Sequence, residues 1–236
     1  METVTRSERP LSEHAFDPVA TVYDSWYETP LGHTVDPLEK DLLYRLAQPH
    51  LGERALDVGA GTGHFSLDLA THGLSVVGVD LSAPMLDVAR SKGVAVQLLR
   101  GDAATLPLAS ESFDLVLSVT ALEFIDRPQH ALDEMWRAVR PGGRLVVGVL
   151  NAWSPWGCAR RRESRQQETP FSHAHFYTPG EFVRALRRLG PVTWSSSVFV
   201  GPGGQGLRWA WQLERAGRAL LKPFGALLVG RVIKWE

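Results

Sequence analysis

The chain has 236 residues, with 25 Lys and Arg against 26 Asp and Glu, 44% hydrophobic and 22% charged residues, and one cysteine. That length suits one domain with attached segments; the composition excludes a disordered or collagen-like chain, and the near-neutral total argues against a general nucleic-acid binder. The charge is unevenly spread: residues 1–150 hold 12 basic against 21 acidic residues, a net −9, whereas residues 151–236 hold 13 against 5, a net +8.

The N-terminal stretch METVTRSERPLSEH lacks the apolar core of a secretory signal. No apolar run approaches the ~18 residues that a membrane span needs. The lone Cys158 excludes a disulfide framework and a cysteine-built zinc site, and it suits a reducing cytoplasm. Residues 15–50 carry a helical pattern with Phe16, Tyr23, Trp26 and Tyr27, and they precede the first strand as a cap would.

From residue 54 to 150 apolar runs of strand length alternate with helical patterns. Strands are expected at Arg54 to Val58, Leu74 to Val79, Val94 to Leu99, Phe113 to Val119 and Arg144 to Leu150. Helices are expected at Thr62 to Thr71, at Ala83 to Ser91 behind a Ser82 cap, and from an Asp126 cap to the break at Arg140-Pro141-Gly142-Gly143. Unbroken apolar strands separated by helices predict an open α/β architecture, a parallel sheet covered on both faces.

Residues 151–177, with Pro155, Gly157, Pro170 and an Arg-rich run from Arg160 to Arg165, read as an irregular lid. Thr178-Pro179-Gly180-Glu181 is a capping box that opens a helix ending near Gly190. Two final strands, Thr193 to Val200 and Ala226 to Ile233, flank a helix from about Gln205 to Leu221. On that helix Trp209, Leu213, Ala216, Gly217 and Leu220 share the face expected to pack inward. Arg208, Arg215, Arg218 and Lys222 share the other, with Trp211 among them. A basic stripe carrying a tryptophan suits peripheral contact with an anionic membrane, and equally a solvated helix.

The run ALDVGAGTGHF, residues 55–65, joins the first strand to the first helix of the alternation. Its glycines at 59, 61 and 63 let backbone approach a ligand, at the turn where open α/β sheets bind theirs. A dinucleotide fingerprint needs glycine where His64 stands, so a nicotinamide-dependent oxidoreductase is disfavoured and a smaller, cationic ligand favoured. Asp80 ends the second strand, where a carboxylate takes ribose hydroxyls, and Asp102 follows the third, where one accepts from an exocyclic amine. Each acid alone also reads as a cap or turn residue; three ligand-facing features at successive strand ends read as one site.

The run LDVGAGTGHF, VVGVDLS, GDAATLPLASESFDLVLSVTALEFI and RAVRPGGRLVVGVL resembles the class I S-adenosylmethionine-dependent methyltransferases. Within them it is most similar to the branch of the ubiquinone/menaquinone-biosynthesis and small-molecule enzymes. The resemblance covers about residues 51–150, and more loosely YDSWYETPLG and HFYTPGEF. It implies a three-layer Rossmann-like sheet of seven strands with the last antiparallel, divided as cap (15–50), cofactor core (51–150), lid (151–177) and C-terminal part (178–236). It implies S-adenosylmethionine as cofactor, with Gly59, Ala60, Gly61 and Gly63 along the methionine part, Asp80 at the ribose and Asp102 with Ala103 at the adenine. Leu81 and Met85 would pack on the adenine faces, Thr120 would lie along the methionine, and Tyr23 would cover the cofactor.

The activity implied is methyl transfer to a small-molecule or lipid-like acceptor, apolar or anionic; the alternative is a non-catalytic partner or sensor that keeps the cofactor. Methyl transfer from a sulfonium asks mainly for alignment and water exclusion, so no catalytic dyad is required. Candidates for acceptor contact or proton transfer are Tyr27 in the cap, Glu123 after the fourth strand and His175 in the run His173-Ala174-His175. These two histidines lack a third partner for a metal. Trp153, Trp156 and the Arg160-Arg161-Arg162 run would face the acceptor or simply anchor and solvate the lid.

Overall fold

The computed structural model describes residues 15–93 and 95–235; the N-terminal stretch judged free of a signal lies outside them, apart from its neighbours from Ala15 onward. Seven strands form: Arg54–Val58 (β1), Ser75–Asp80 (β2), Gln97–Arg100 (β3), Phe113–Val119 (β4), Val139–Leu150 (β5), Val192–Ser197 (β6) and Leu227–Ile233 (β7). They make one sheet in the order β3-β2-β1-β4-β5-β7-β6, parallel from β3 to β5. β7 runs antiparallel to both its neighbours. The seven-stranded sheet with an antiparallel last strand is therefore as expected.

Helices occupy Ser25–Glu28 (α1), Pro30–Ala47 (α2), His64–Thr71 (α3), Ala83–Ser91 (α4), Pro128–Ala138 (α5), Pro155–Glu163 (α6), Pro179–Arg187 (α7) and Ala210–Leu220 (α8). Because side chains alternate across a strand, β1 and β4 feed two cores at once. Leu56, Val58 and Val116 pack with Leu132 and Met135 of α5 and Phe182 of α7. Ala55, Leu115, Leu117 and Val119 pack with Leu42 and Leu43 of α2 and Phe65 and Leu69 of α3. A third cluster joins Val35 and Leu38 of α2 to Trp156 of α6 and Ala210 of α8, so cap, lid and tail share one core.

Local signals place several boundaries. Ser82 accepts from the Met85 amide, and Thr178 with Glu181 forms the reciprocal capping box. Other boundaries move, for identifiable reasons. The first helix of the alternation starts at His64 and not Thr62, because Gly63 is left-handed at φ +79. The third strand starts at Gln97; the expected start, Val94, is outside the described residues. Arg127, and not Asp126, stands at the N-cap of α5, because Pro128 at the first helical position pushes its predecessor out of the helical region. The helix ends at Ala138, and Arg140-Pro141-Gly142-Gly143 lies in the early, irregularly registered part of β5.

Two larger corrections concern the basic half. Residues 151–177 are not irregular throughout, since α6 forms with Pro155 at its first turn, where the missing amide costs nothing, behind a Ser154 cap. Gly157, which reads as a breaker, permits close approach: a Cβ there would sit 2.2 Å from the Asn151 carbonyl oxygen. On α8 the buried positions are Ala210, Glu214 and Gly217, while Trp209, Leu213 and Leu220 are exposed. Glu214 turns inward because the Val198 amide and Arg218 satisfy its carboxylate, and Arg218 reaches on to Asp41 at 2.6 Å.

Candidate functional site

The turn after β1 is shaped by its glycines. Gly59, Gly61 and Gly63 take φ of +79, +54 and +79, and a Cβ on Gly59 would stand 2.2 Å from that of Ala121. The Gly59 and Ala60 amides donate to the Val79 carbonyl at 2.8 and 3.1 Å, which ties the loop to the end of β2. The Asp80 carboxylate continues the stitch, accepting from Gly61 N–H at 2.7 Å on one oxygen and Ser82 N–H at 2.8 Å on the other. Burial raises its pKa above the ordinary aspartate value, with these amides opposing. Beyond β3, Asp102 accepts from the Ala104 amide at 2.7 Å and pairs with Arg127 at 3.1 Å.

These three strand ends and the cap enclose a cleft of about 1040 Å³, solvent mouth included. Tyr23, Gly59, Ala60, Gly61, Asp80, Leu81, Met85, Asp102, Ala103 and Thr120 all line it. Gly63 does not, and instead caps α3. Asp17, Asp80 and Asp102 are on the lining, and among the described lining residues there is no Lys or Arg. Asp57 lies beneath the loop, buried against the Ser66 hydroxyl at 2.6 Å; burial, with the Asp80 charge nearby, pushes its carboxyl up to about 6.

Residues 56–147 match the model of a family described as a methyltransferase domain. Within the chain, residues 56–147 carry a methyltransferase domain. Its domain is similar to the demethylmenaquinone methyltransferase of Clavibacter sepedonicus, 38% identical over 56% of this chain and 55% of that one. It is similar also to the malonyl-(acyl-carrier protein) O-methyltransferase of Yersinia pestis, 41% identical over 46% of this chain and 40% of that one. The chain thus spans about half the length of these curated relatives. A solved S-adenosylmethionine-dependent methyltransferase of Thermotoga maritima, described as a possible histamine N-methyltransferase, superposes with a TM-score of 0.71. It is 26% identical, and the match covers 94% of this chain and 99% of that one.

The methyltransferase domain is closed by its cap through contacts that sequence reasoning missed. Tyr27 stacks on His64, and the His64 ring nitrogen lies 2.6 Å from Asp36 of α2. Asp24 accepts from the Thr62 hydroxyl at 2.7 Å and pairs with Lys92 at 2.6 Å. The signal was present in His64, a large ring where a glycine would serve a dinucleotide.

The three candidates for proton transfer are not brought together. Tyr27 lines the cleft; burial first, then its neighbour Tyr23, raises its phenol far above the ordinary value, so it stays neutral. Glu123 is buried behind the lining residues Ala121 and Phe124. One of its oxygens accepts from the Leu150 amide, the other has no partner among the described residues, and burial pushes the carboxyl up to about 7. His175 lines a second hollow with Tyr177, Glu181 and Arg184, and only its backbone meets Glu123, at 2.9 Å. Trp156 is buried, donating to the Val200 carbonyl at 2.8 Å, whereas Trp153 is exposed. Among the described residues no cluster of three His, Cys, Asp or Glu is placed to hold a metal.

Proposed function

We propose that this protein transfers the methyl group of S-adenosylmethionine to a small-molecule acceptor. The observation that carries this is the cleft lining, with Asp80 and Asp102 at the ends of β2 and β3, Asp17 from the cap, and no Lys or Arg among the described lining residues. Such a site suits a ligand that is cationic and bears a ribose, and repels a pyrophosphate. The residues fit: a Cβ at Gly61 would meet no atom within 4 Å, so the loop backbone is bare on the cleft side. Asp80 keeps lone pairs for ribose hydroxyls beyond the two amides it accepts. In this reading Asp102 and Ala103 meet the adenine edge, Leu81 and Met85 its faces, and Gly59, Ala60, Gly61 and Thr120 the methionine moiety.

When bound, S-adenosylmethionine supplies a methyl group on a cationic sulfur whose departure leaves a neutral thioether. The protein's own part is alignment and exclusion of water, and proximity alone contributes on the order of 7–11 kcal/mol. Tyr23 and Tyr27, neutral and enclosed, present ring faces that favour a cation. Glu123, near neutrality in its pKa, is the group suited to take a proton if the acceptor atom loses one.

Isothermal titration with S-adenosylmethionine and S-adenosylhomocysteine tests the reading; no binding of either at millimolar concentration refutes it. Binding without methyl gain by any acceptor in cell extracts would favour a cofactor-holding sensor. The single cysteine supports a reducing, cytoplasmic setting. The exposed apolar groups of the basic tail support peripheral contact with an anionic membrane.

A further inference from the structure

The three arginines that open the basic half have different fates. Arg161 donates to the Ala152 carbonyl at 2.6 Å and lies over Phe176, so it fastens the lid helix to the end of β5. Arg162 is exposed. Arg160 projects from the same helix into an aromatic enclosure, its guanidinium 4.4 Å from the Phe171 ring centre and 5.4 Å from that of Trp156. It makes no ion pair and no side-chain hydrogen bond with any described residue, although burial depresses its pKa as a desolvated cation's should be. Arg160 is half-buried, so its guanidinium keeps access to solvent and offers five donors in a fixed plane to an anion that reaches it.

The enclosure adjoins the cleft wall. Phe171 packs against Phe16 at 6.0 Å and against Phe124 at 6.1 Å between ring centres, and both of those rings line the cleft. Tyr23, also on the lining, feels the Arg160 charge. An apolar wall of three phenylalanines therefore runs from the cleft to a cation that has no ion-pair partner among the described residues.

We propose that Arg160 binds an anionic group, carboxylate or phosphate, on the far end of an otherwise apolar acceptor whose body lies along Phe16, Phe124 and Phe171. This rests on the methyltransferase reading above and names the class of acceptor for that same site. The acids nearest in effect are Glu39, Glu123 and Glu163, and none of them forms an ion pair with the guanidinium. Burial pushes Glu39 and Glu123 each up to about 7, so near neutral pH they carry only part of a compensating charge. An arriving anion supplies the rest, through charge-assisted bonds about twice as strong as neutral ones.

The test uses three probes of one shape on the full chain by isothermal titration: 2-naphthoate, 2-naphthyl phosphate and the uncharged 2-naphthamide. At least one anion is expected to bind at least tenfold more tightly than the amide, and which one does so separates a carboxylate from a phosphate acceptor. Arg160→Met should abolish that preference, Arg160→Lys should retain part of it, and Arg162→Met should leave it intact. Equal or undetectable binding of all three probes, or a preference that survives Arg160→Met, overturns the proposal. S-adenosylhomocysteine titrated into the same proteins keeps the two readings apart. Loss of the anion preference with unchanged homocysteine-product binding supports the Arg160 assignment. No binding of that product by the unaltered chain refutes the cofactor reading and leaves the probe result to be judged alone.

Discussion

Tyr27 lies flat on His64, their ring centres 3.9 Å apart and their planes 7° from parallel. One ring belongs to the cap and the other opens α3 directly behind the glycine loop, so the stack joins the roof of the cleft to its floor. Asp36 holds the imidazole from α2, which fixes its orientation. His64→Ala removes both contacts and leaves the loop glycines untouched. An aromatic pair of this kind contributes about 0.5–1.5 kcal/mol, so affinity for S-adenosylhomocysteine should fall about two- to tenfold. Titration calorimetry reads the change, and an unaltered affinity would mean that the cap does not depend on this stack.

The strand ends, the Ser82 cap and the Thr178–Glu181 box were legible because each depends on a few consecutive residues. The cleft lining at those ends follows from them, since the fold places the ends of β1, β2 and β3 side by side. The rest depends on partners distant in the chain. Periodicity assigned Leu213 and Leu220 to the inner face of α8, yet Glu214 goes inward because residues 198 and 218 satisfy its carboxylate. Arg160 looked like one of three equivalent lid charges until Phe171 and Trp156 enclosed it. His175 lies within the lid segment 151–177, but its ring lines a different hollow from the cleft, beside the Asn151–Tyr177 bridge.

Glu123 should make stability pH-dependent. Its carboxyl is raised from 4.5 to about 7 by burial, so between those values the folded protein retains a proton that the unfolded chain has lost. The cost is absent below pH 4.5 and complete above about 7, which means stability declines as pH rises through that window. Asp57, raised to about 6, acts in the same direction. Urea denaturation at pH 5 and pH 8 should therefore show a smaller decline in Glu123→Gln than in the unaltered chain, expressed as the shift of the midpoint. An equal decline would remove Glu123 from the account.

Arg144 should anchor the cap at the opposite end of the sheet. Its guanidinium meets both Glu53 oxygens, at 2.8 and 2.6 Å, and donates to the Ala47 and Gln48 carbonyls where α2 ends. Breaking a pair this enclosed by Arg144→Met should cost about 3 kcal/mol at pH 7. Burial alone would raise Glu53, but Arg144 and the His50 amide outweigh it and hold the carboxyl below 4.5. The stability it adds is thus present above pH 4.5 and lost as pH falls through the depressed value. Denaturation at pH 7 and at pH 3 should show the variant and the unaltered chain converging in acid; a constant difference would assign the loss to packing.

The tail should meet anionic membranes. Six of the ten exposed large hydrophobic residues described lie at 209–224: Trp209, Trp211, Leu213, Leu220, Leu221 and Phe224. Trp153 joins them through its contact with Phe224, at 6.3 Å between ring centres. Arg208 and Arg215 are exposed among them, whereas Arg218 is taken inward by Asp41 and Glu214. Full burial of one such side chain contributes about 1.5–3 kcal/mol, and each basic residue near an anionic surface adds on the order of 1 kcal/mol. Vesicles containing phosphatidylglycerol should therefore pellet the protein more than neutral phosphatidylcholine vesicles do. Replacing Trp211, Leu220 and Phe224 together by serine should reduce that binding at least tenfold, because these side chains carry the apolar part of the contact. None of the three lines the cleft, so S-adenosylhomocysteine affinity in solution should be unchanged in the same variant. Equal pelleting with both vesicle types, or a triple variant that pellets normally, would exclude this surface as a membrane contact.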